Sequence, residues 1–256
     1  MEIAIPSKGR PKFIARETFK DALIFVEPQE YELYKNENPD MRLVNIEATD
    51  KGVAYVYNFI LNYMKGKFFL VDDDVRDLYI REGVTSKGYP KLAKVSHENI
   101  LLLLDDCEKI MNEFGLAMLC LKENFTNWYR KKTIEFANVG YRATFLDKDI
   151  ITNAGIKFDE NLLFHNDTDF YLQIFMKGLR AAAYYKYAFS YDLKNKDGGC
   201  NFLKTKQTIA EDAERCVAKW NNPLIKTKMN VMLNQMGMAI EWKGVCPIRY
   251  WDRLCV

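Results

Sequence analysis

The first third of the chain alternates short apolar runs with segments whose apolar side chains recur at helical spacing. The run at residues 68–71 (Phe-Phe-Leu-Val) is continuously apolar, as in a strand buried on both faces. The predicted strands are residues 2–6, 22–26, 42–46 and 68–71, and the predicted helices are residues 12–22, 29–36 and 52–65. Strands and helices in alternation predict an α/β fold, with a parallel sheet and helices on both of its sides.

The rest of the chain is less regular. Residues 81–95 are polar and rich in turn residues and are predicted to form a loop, whereas residues 97–114 have the pattern of an amphipathic helix that ends at Gly115. Further strands are predicted at residues 116–121, 136–141 and 184–187, and further helices at 167–178 and 208–220. The pattern weakens after Asp192. We therefore predict one domain over residues 1–192 and a C-terminal extension over residues 193–256 that packs on it.

Composition excludes several classes of protein. With 48% apolar and 14% aromatic residues, the 256-residue chain is not intrinsically disordered. It has no apolar run of about 18 residues and no secretory signal at its start, so we expect a cytoplasmic protein (host cytoplasm if viral) without a membrane partner. Six cysteines without C-x-x-C spacing predict reduced thiols rather than a zinc site. A net charge of +2 neither requires nor excludes nucleic acid, and no obligate protein partner is evident.

The strongest chemical signal is the acidic triplet Asp72-Asp73-Asp74, directly after the predicted strand at residues 68–71. Ligands of open α/β sheets bind at the carboxyl ends of strands, and adjacent carboxylates persist most easily around a divalent cation. Side chains alternate along an extended chain, so Asp72 and Asp74 are predicted to hold Mn²⁺ or Mg²⁺. Asp73 would point the other way, toward backbone or a ribose. The alternative is a solvated acidic turn.

Two further carboxylates, Asp167 and Asp169, lie at the start of a predicted helix. The positive end of the helix dipole favours ionised carboxylates there. Asp167 is therefore a candidate general base, with Asp169 supporting it. The alternative is that Asn166 or Asp167 is a plain N-cap.

These segments resemble the GT-A class of nucleotide-sugar glycosyltransferases. The opening strand has the form Ile-Ala-Ile-Pro-Ser-x-x-Arg, and the acidic triplet corresponds to the Asp-x-Asp of that class. Residues 51–58 are similar to the Gly-x-x-x-Ala-Arg-Asn helix start, and residues 165–172 to the Glu-Asp-x-Asp-Phe-x-Leu-Arg segment that supplies the base in inverting members. The last two segments depart from the family pattern at some positions, and the likeness covers about residues 1–192.

The resemblance implies a GT-A-like, Rossmann-type mixed sheet flanked by helices, and metal-dependent sugar transfer from a UDP-sugar. Asp167 and Asp169 would be catalytic, and Asp192 would join the acidic pair around the metal. The residues expected to bind the nucleotide sugar are Ser7, Lys8, Arg10, Glu27, Gly52, Asn58, Asp72 and Asp73. A surface turn at residues 7–10 and an exposed acid at Glu27 are the alternatives. His165 is either a neighbour of the metal or a structural hydrogen-bonding residue.

Within that class, the chain is similar to the phage and kinetoplastid group that glycosylates hydroxymethylated pyrimidines in DNA. The likeness rests on compact size, the opening strand, and Ser190-Tyr191-Asp192 followed by Gly198-Gly199. It implies glucose as the sugar and a 5-hydroxymethylpyrimidine in DNA as the acceptor. Basic and aromatic residues that would contact DNA occur at Arg81, Lys87, Lys91, Lys94, residues 127–132 and residues 184–187. A solvated loop or rim is the alternative for each.

Other functions remain open at this point. A GT-A enzyme could act on a glycan or a protein instead of DNA. A metal-dependent phosphohydrolase also places Asp-x-Asp after an apolar strand, but Arg76 stands where that pattern has Thr or Val. A sugar-nucleotide pyrophosphorylase would need a Gly-rich loop after the first strand. A DNA-binding module without catalysis leaves three adjacent carboxylates unexplained, because they would repel phosphate.

Overall fold

The structure, a computed structural model, describes residues 1–127, 132–138, 140–192, 203–230 and 235–240. Ten strands in these ranges form one mixed sheet. They are β1 (Glu2–Pro6), β2 (Leu23–Val26), β3 (Arg42–Asn45), β4 (Lys67–Val71), β5 (Val75–Val84), β6 (Pro90–Lys94), β7 (Leu116–Glu123), β8 (Ile134–Phe136), β9 (Ala143–Asp147) and β10 (Arg180–Tyr191). Strands β11 (Ile225–Asn230) and β12 (Gln235–Ile240) form a separate two-stranded antiparallel sheet.

Helices connect and cover these strands. They are α1 (Tyr31–Glu37), α2 (Val53–Tyr63), α3 (Ile100–Phe114), α4 (Asn124–Asn127), α5 (Lys148–Asn153), α6 (Asn166–Met176) and α7 (Lys206–Trp220). Short 3₁₀ turns occupy Ile14–Glu17, Pro28–Glu30 and His97–Asn99. The predicted α/β architecture, a mixed sheet flanked by helices, is therefore confirmed.

The order of the strands locates the site. Across the sheet the order is β3-β2-β1-β4-β9-β7-β10-β5-β6, with β8 paired to β10. Strands β1 to β4 run parallel, and β9 is antiparallel between β4 and β7. The chain builds outward from β1 to β3 and then returns to place β4 on the other side of β1. Such a reversal leaves a crevice outside the carboxyl ends of the strands.

The two faces of the sheet bury two separate cores. Phe69 and Val71 of β4 pack on the face covered by α1 and α3, and Phe68 and Leu70 pack on the face covered by α2, α5 and α6. This alternation follows from the two-residue period of a strand. The same alternation places Leu70 and Asp72 on the side of the sheet that α2 and α6 cover.

Three predicted elements were wrong. Residues 12–22 form only the 3₁₀ turn Ile14–Glu17, because the Ala15 N–H bonds the Asp73 carbonyl at 3.2 Å instead of continuing a helix. Residues 81–95, predicted as a loop, belong largely to the β5–β6 hairpin, where Arg81 pairs with Leu92 and Val84 with Pro90, and this strand pairing overrides a solvent-facing composition. The strand predicted at residues 136–141 ends at Phe136, and β9 follows later.

The C-terminal part is described only in part. Helix α7 contacts α6 through Lys219 and Trp220, both of which bond Asp169. The predicted boundary at residue 192 remains a prediction, because residues 193–202, 231–234 and 241–256 lie outside the described residues. Within the described ranges, no helix is both long and apolar enough to cross a membrane.

Candidate active site

A cleft of about 260 Å³ opens at the carboxyl end of β4, on the face of the sheet that α2 and α6 cover. Its polar lining includes Tyr57, Asp72, Tyr141, Arg142, Asn166, Asp167 and Lys204, and its apolar lining includes Leu70, Met118, Phe158 and Phe170. Two of the carboxylates predicted from the sequence, Asp72 and Asp167, therefore face the same cavity although they are far apart in the chain.

The acidic triplet forms a tight turn between β4 and β5, closed by a 3.2 Å bond from the Val75 N–H to the Asp72 carbonyl. The Arg142 guanidinium donates to the Asp74 carboxylate, and its Nη1 atom lies 4.0 Å from Asp72 Oδ2. Asp72 and Asp74 thus both lie beside the Arg142 guanidinium. Their predicted role as metal ligands remains a prediction. The second oxygen of Asp74, Oδ1, is buried and has no hydrogen-bond partner in the described part of the chain.

Burial and the crowding of these carboxylates raise the pKa of Asp72. Burial, and then the neighbouring Asp74 charge, raises the pKa of Asp72 to about 7, while Arg142 acts in the opposite direction. An acid pair of this kind is stabilised in its ionised form by additional positive charge.

These residues fit a hard divalent cation that is shared with a substrate. Among the described residues, no group of three or more His, Cys, Asp or Glu side chains is arranged to hold a metal. Mg²⁺ and similar ions are commonly held by one or two carboxylates together with substrate phosphates. Asp72 and Asp74, with one Asp74 oxygen unsatisfied, could supply the protein's share of such a site.

Asp192, the third predicted metal ligand, lies beside the turn but is engaged elsewhere. Its N–H donates to the Asp74 carbonyl at 3.0 Å, which brings the end of β10 to the acidic triplet. Its carboxylate Oδ2 atom is 3.4 Å from the Arg76 guanidinium. A role for Asp192 in metal binding remains a prediction.

Asp73 points to the opposite side, into an internal network. Its carboxylate accepts from Ser7 Oγ at 2.6 Å and from Arg10 Nη1 at 2.5 Å, and Ser7 Oγ is also 2.8 Å from the Tyr34 hydroxyl. Burial raises the pKa of Asp73, and Arg10 opposes that rise. These bonds tie the end of β1 to the acidic turn. Ser7, Arg10 and Asp73 do not line the cleft, so their predicted contact with the nucleotide remains a prediction.

Lys8 and Glu27 form a second polar group, at the ends of β1 and β2. Lys8 Nζ lies 2.8 Å from Glu27 Oε2 and also pairs with Asp50. Glu27 is buried rather than an exposed strand-end acid. The alternative of a solvated acid at this position is therefore wrong.

Gly52 and Asn58, just before and within α2, are two further residues that the resemblance implies for binding of the nucleotide sugar. Gly52 precedes the helix with a φ of +88°, a conformation that favours glycine. Asn58 uses its side-chain amide to donate to the Phe158 carbonyl and to accept from the Phe158 N–H, both at 2.9 Å. It anchors the loop that precedes α6, so its implied role in nucleotide binding lacks geometric support.

Asp167 has the setting expected of a general base. It lies in the first turn of α6 and lines the cleft, and its Oδ1 atom accepts from the Thr168 N–H at 2.5 Å. Burial raises the pKa of Asp167 to about 6. The N-cap of α6 is His165, so neither Asn166 nor Asp167 fills the capping role proposed as the alternative.

Asp169 points away from the cleft. Its fully buried carboxylate accepts from Trp220 Nε1 at 2.9 Å, from Lys219 Nζ at 2.9 Å and from Gln173 Nε2 at 2.7 Å. The structure therefore separates Asp169 from Asp167 and gives it contacts to α7 instead. Its predicted catalytic role has no support in this geometry.

A residue that the sequence analysis missed, Asp212 of α7, organises the loop before α6. Its buried carboxylate accepts from the N–H groups of Leu163, Phe164 and His165 at 2.7 to 2.9 Å, and from His165 Nδ1 at 2.9 Å. Burial opposes ionisation, but the His165 bond and the three backbone bonds prevail and lower the pKa of Asp212. His165 is thus a structural hydrogen-bonding residue here.

Arg142, Tyr141 and Lys204 also line the cleft without having been predicted. Arg142 and Tyr141 lie between β8 and β9, where the sequence carries no motif, and Lys204 lies in the C-terminal part. No signal in a single sequence links these residues to an acidic turn that is so distant in the chain.

The segments predicted to contact DNA are partly engaged within the protein. Lys94 pairs with Asp77 at 2.5 Å, Lys186 pairs with Asp106 at 2.9 Å, and the Arg81 guanidinium lies 5.8 Å from the centre of the Tyr185 ring. Residues 128–131 and the predicted Gly198-Gly199 lie outside the described residues. Lys87 and Lys91, on the hairpin, are exposed.

The sequence model of a family described as TET-Associated Glycosyltransferase matches residues 1–199. No curated protein matches the chain.

Solved structures with low identity share the fold. One is TarS 1–349 of S. aureus in complex with UDP-GlcNAc (14% identity, TM-score 0.53, 85% of this chain and 67% of that one). Another is the mannosyltransferase PcManGT of Pyrobaculum calidifontis in complex with GDP-Man and Mn²⁺ (13%, 0.52, 86% and 63%). A third is a mycobacterial protein (7%, 0.52, 93% and 82%). The chain thus spans about two thirds of the length of the first two, and its fold is of the GT-A type.

Proposed function

The chain belongs to the TET-associated glycosyltransferase family, and on that premise we propose a specific reaction for it. We propose that it transfers a sugar, glucose, from a UDP-sugar to the hydroxymethyl group of a 5-hydroxymethylpyrimidine in DNA, with the help of Mn²⁺ or Mg²⁺. The observation that carries the proposal is that Asp72 of the acidic turn and Asp167 of α6 line one cleft at the carboxyl end of β4. Family membership disfavours the phosphohydrolase alternative.

The donor end of the cleft is assigned to the acidic turn. Two of the structures with the same fold hold nucleotide sugars, UDP-GlcNAc in TarS and GDP-Man with Mn²⁺ in the mannosyltransferase. Asp72 and Asp74 would hold the ion, and the donor diphosphate would complete its ligands. When bound, the ion supplies Lewis-acid stabilisation of the departing diphosphate.

Asp167 is assigned the proton transfer. Its carboxylate takes the proton from the acceptor hydroxyl while that oxygen forms a bond to the anomeric carbon of the sugar. The bond between that carbon and the diphosphate oxygen breaks, and UDP leaves with the electron pair. A pKa of about 6 keeps most of the carboxylate ionised at neutral pH and still makes it a better proton acceptor than an ordinary aspartate.

The DNA acceptor is supported by the family description and by exposed lysines of the β5–β6 hairpin. Strand β5 starts at the acidic turn and has 10 residues, so its far end lies roughly 30 Å from the cleft at about 3.3 Å per residue. A duplex bound at the cleft would reach Lys87 and Lys91 only by running along this edge of the sheet.

The reaction is tested by mass spectrometry of the acceptor. The purified chain is incubated with Mn²⁺ and a panel of UDP-sugars, against duplex DNA with 5-hydroxymethylpyrimidines, the same duplex without them, and simple sugars. We expect the mass of one hexose on the hydroxymethylated duplex alone, abolished by EDTA. Transfer to a sugar or peptide but not to DNA would contradict the acceptor and leave the glycosyltransferase assignment intact.

The hairpin contact is tested by the salt dependence of DNA binding. Each lost phosphate contact reduces the slope of log K against log salt by about 0.9, so Lys87→Ala with Lys91→Ala should reduce it by about 2. The matched control is Lys35→Ala with Lys109→Ala, which removes two exposed lysines from α1 and α3. An equal change in both double variants would show that only net charge matters.

A further inference from the structure

The Arg142 guanidinium lies beside the carboxylates of the acidic turn, whose mutual repulsion a positive charge reduces. Its guanidinium donates to the Asp74 carboxylate and approaches Asp72 Oδ2 to 4.0 Å. Its own carbonyl accepts from the Asp72 N–H at 2.7 Å. The same residue therefore fixes the backbone of the turn and neutralises its side chains.

Two further features of Arg142 are its backbone conformation and its contact with an aromatic ring. Its backbone φ is +68°, a left-handed conformation that a residue with a side chain adopts at a cost. Its guanidinium carbon lies 4.2 Å from the centre of the Tyr191 ring, a cation–π contact from the end of β10. About a third of the side chain remains exposed, on the wall of the cleft. The guanidinium is thus placed between Tyr191 and the acidic turn but keeps a route into the cavity.

The pairing with Arg142 is incomplete. It satisfies Asp74 Oδ2 and leaves Asp74 Oδ1 buried without a hydrogen bond from any described residue. An unsatisfied oxygen of a buried carboxylate is costly, and a small divalent ion can contact both carboxylates of the turn more closely than a planar guanidinium can. A divalent ion and the guanidinium would also repel each other if both remained on Asp74.

We propose that Arg142 is the built-in counter-cation of the acidic turn and that a divalent metal binds there only by displacing its guanidinium. The inference rests on the metal site of the proposed function. A displaced guanidinium stays tethered at the wall of the cleft, where a nucleoside diphosphate offers it a new anionic partner. Metal and nucleotide then bind with positive coupling, and the metal alone binds weakly.

The coupling has a direct thermodynamic consequence. Whatever factor UDP adds to Mn²⁺ affinity, Mn²⁺ must add to UDP affinity. If Arg142 contributes to that factor, removing its charge strengthens the binding of Mn²⁺ alone and shrinks the gain that UDP confers. A residue that merely stabilises the turn would do neither, because the turn would loosen and metal binding would weaken.

The experiment measures Mn²⁺ affinity by calorimetry, with and without UDP, in the full chain. For Arg142→Gln we expect Mn²⁺ alone to bind about tenfold more tightly, the loss of one charged competitor, and the UDP-dependent gain to shrink by a similar factor. Lys65→Gln is the control, because it removes one exposed positive charge from a residue that does not line the cleft. It should leave the affinity for Mn²⁺ alone within about twofold of the wild-type value, a change of about 0.4 kcal/mol.

Two gentler variants protect the test against misfolding of Arg142→Gln, which a thermal melt would reveal. Tyr191→Leu removes the ring under the guanidinium and should tighten Mn²⁺ binding about twofold, and Arg142→Lys should fall between the wild type and Arg142→Gln. Unchanged or weaker Mn²⁺ binding in folded Arg142→Gln would overturn the inference and leave the metal site standing. Absence of Mn²⁺ binding in every variant, with and without UDP, would overturn both.

Discussion

The two sides of the cleft are built in different ways. The donor side, which we define as β1, β4 and the acidic turn 72–74, takes its carboxylates from three adjacent residues at the end of one buried strand. The base side, which we define as the loop 159–165 and α6, presents Asp167 on a helix whose approach is held by α7. The donor side is therefore specified largely by local sequence, and the base side by contacts with a distant helix.

Asp167 and Asp169 show what the difference teaches. They are two positions apart on one helix, yet Asp167 lines the cleft and Asp169 is fully buried against Lys219, Trp220 and Gln173. A helix rotates about 100° per residue, so two positions turn a side chain toward the opposite surface. The surroundings that each carboxylate meets, and not its place in a motif, put Asp167 at the cleft and Asp169 in the interior.

The region that matches the family ends before α7, the helix that holds the base side in place. The family likeness covers residues 1–199, whereas α7 spans Lys206–Trp220. Asp212 and Trp220 nonetheless hold the loop and the helix that carry Asp167. The C-terminal part is therefore expected to matter for activity even though it lies outside the matched region.

The largest effect is expected on the donor side. Asp74→Asn should reduce sugar transfer by roughly 10³-fold or more, since metal stabilisation of a leaving group is worth several kcal/mol. The melting temperature should change by a few degrees at most, because the lost pairing with Arg142 is offset by relief of the repulsion between Asp72 and Asp74. Steady-state turnover with the UDP-sugar checks this, with Asp77→Asn as control because Asp77 pairs with Lys94 on the adjacent strand. Equal losses in both variants would remove the special role of the turn.

On the base side, Asp167→Asn should lower turnover by roughly 10² to 10⁴, the usual contribution of a positioned base. Wild-type turnover should fall as the pH drops below about 6, because the raised pKa of Asp167 means that its carboxylate becomes protonated there and can no longer accept a proton. A pH profile of kcat checks both statements. If Asp167→Asn keeps the wild-type rate and profile, another group is the base.

The support of the base side is tested at Asp212. Asp212→Ala should destabilise the protein by about 3 kcal/mol, because it leaves several buried donors without an acceptor. The depressed pKa of Asp212 means that the unfolded chain binds this proton first, so its contribution is present at neutral pH and is lost as the pH falls below about 4. Denaturant unfolding at pH 7 and pH 3.5 measures both, and a variant as stable as the wild type at pH 7 would contradict the prediction.

The smallest effect is expected at Asp169. Asp169→Asn keeps an acceptor for Trp220 but loses the charge that faces Lys219, which should cost about 1 to 2 kcal/mol and lower the melting temperature by several degrees. Turnover per folded molecule should stay close to that of the wild type. A selective loss of turnover at unchanged melting temperature would restore the catalytic role that the sequence suggested.

The sequence predicted the donor side better than the base side for a physical reason. An apolar run followed by three carboxylates encodes both the buried strand β4 and the acidic turn within a few residues. Arg142 reaches that turn through a left-handed residue in an unpatterned segment, and Asp212 reaches the loop before α6 from 47 to 49 positions away. Neither contact has a local signature.

Composition also misled the prediction of the hairpin. Residues 81–95 carry charges and glycines typical of a loop, but β5 gains its hydrogen bonds from β10 on one side and β6 on the other. Lysines on β6 suit an edge strand, where they discourage pairing with another chain. Pairing between the two strands of the hairpin therefore decided the conformation of this segment, on a strand whose first half is held by β10. Composition and periodicity do not show that pairing.

The division of labour across the cleft is tested most directly by the affinity for UDP in the presence of Mn²⁺. Calorimetry on Asp74→Asn and Asp167→Asn compares the two sides with one ligand and without any acceptor. The account predicts that Asp74→Asn binds UDP at least about tenfold more weakly than the wild type, whereas Asp167→Asn binds it equally well. Loss of UDP affinity in Asp167→Asn together with full affinity in Asp74→Asn would contradict it.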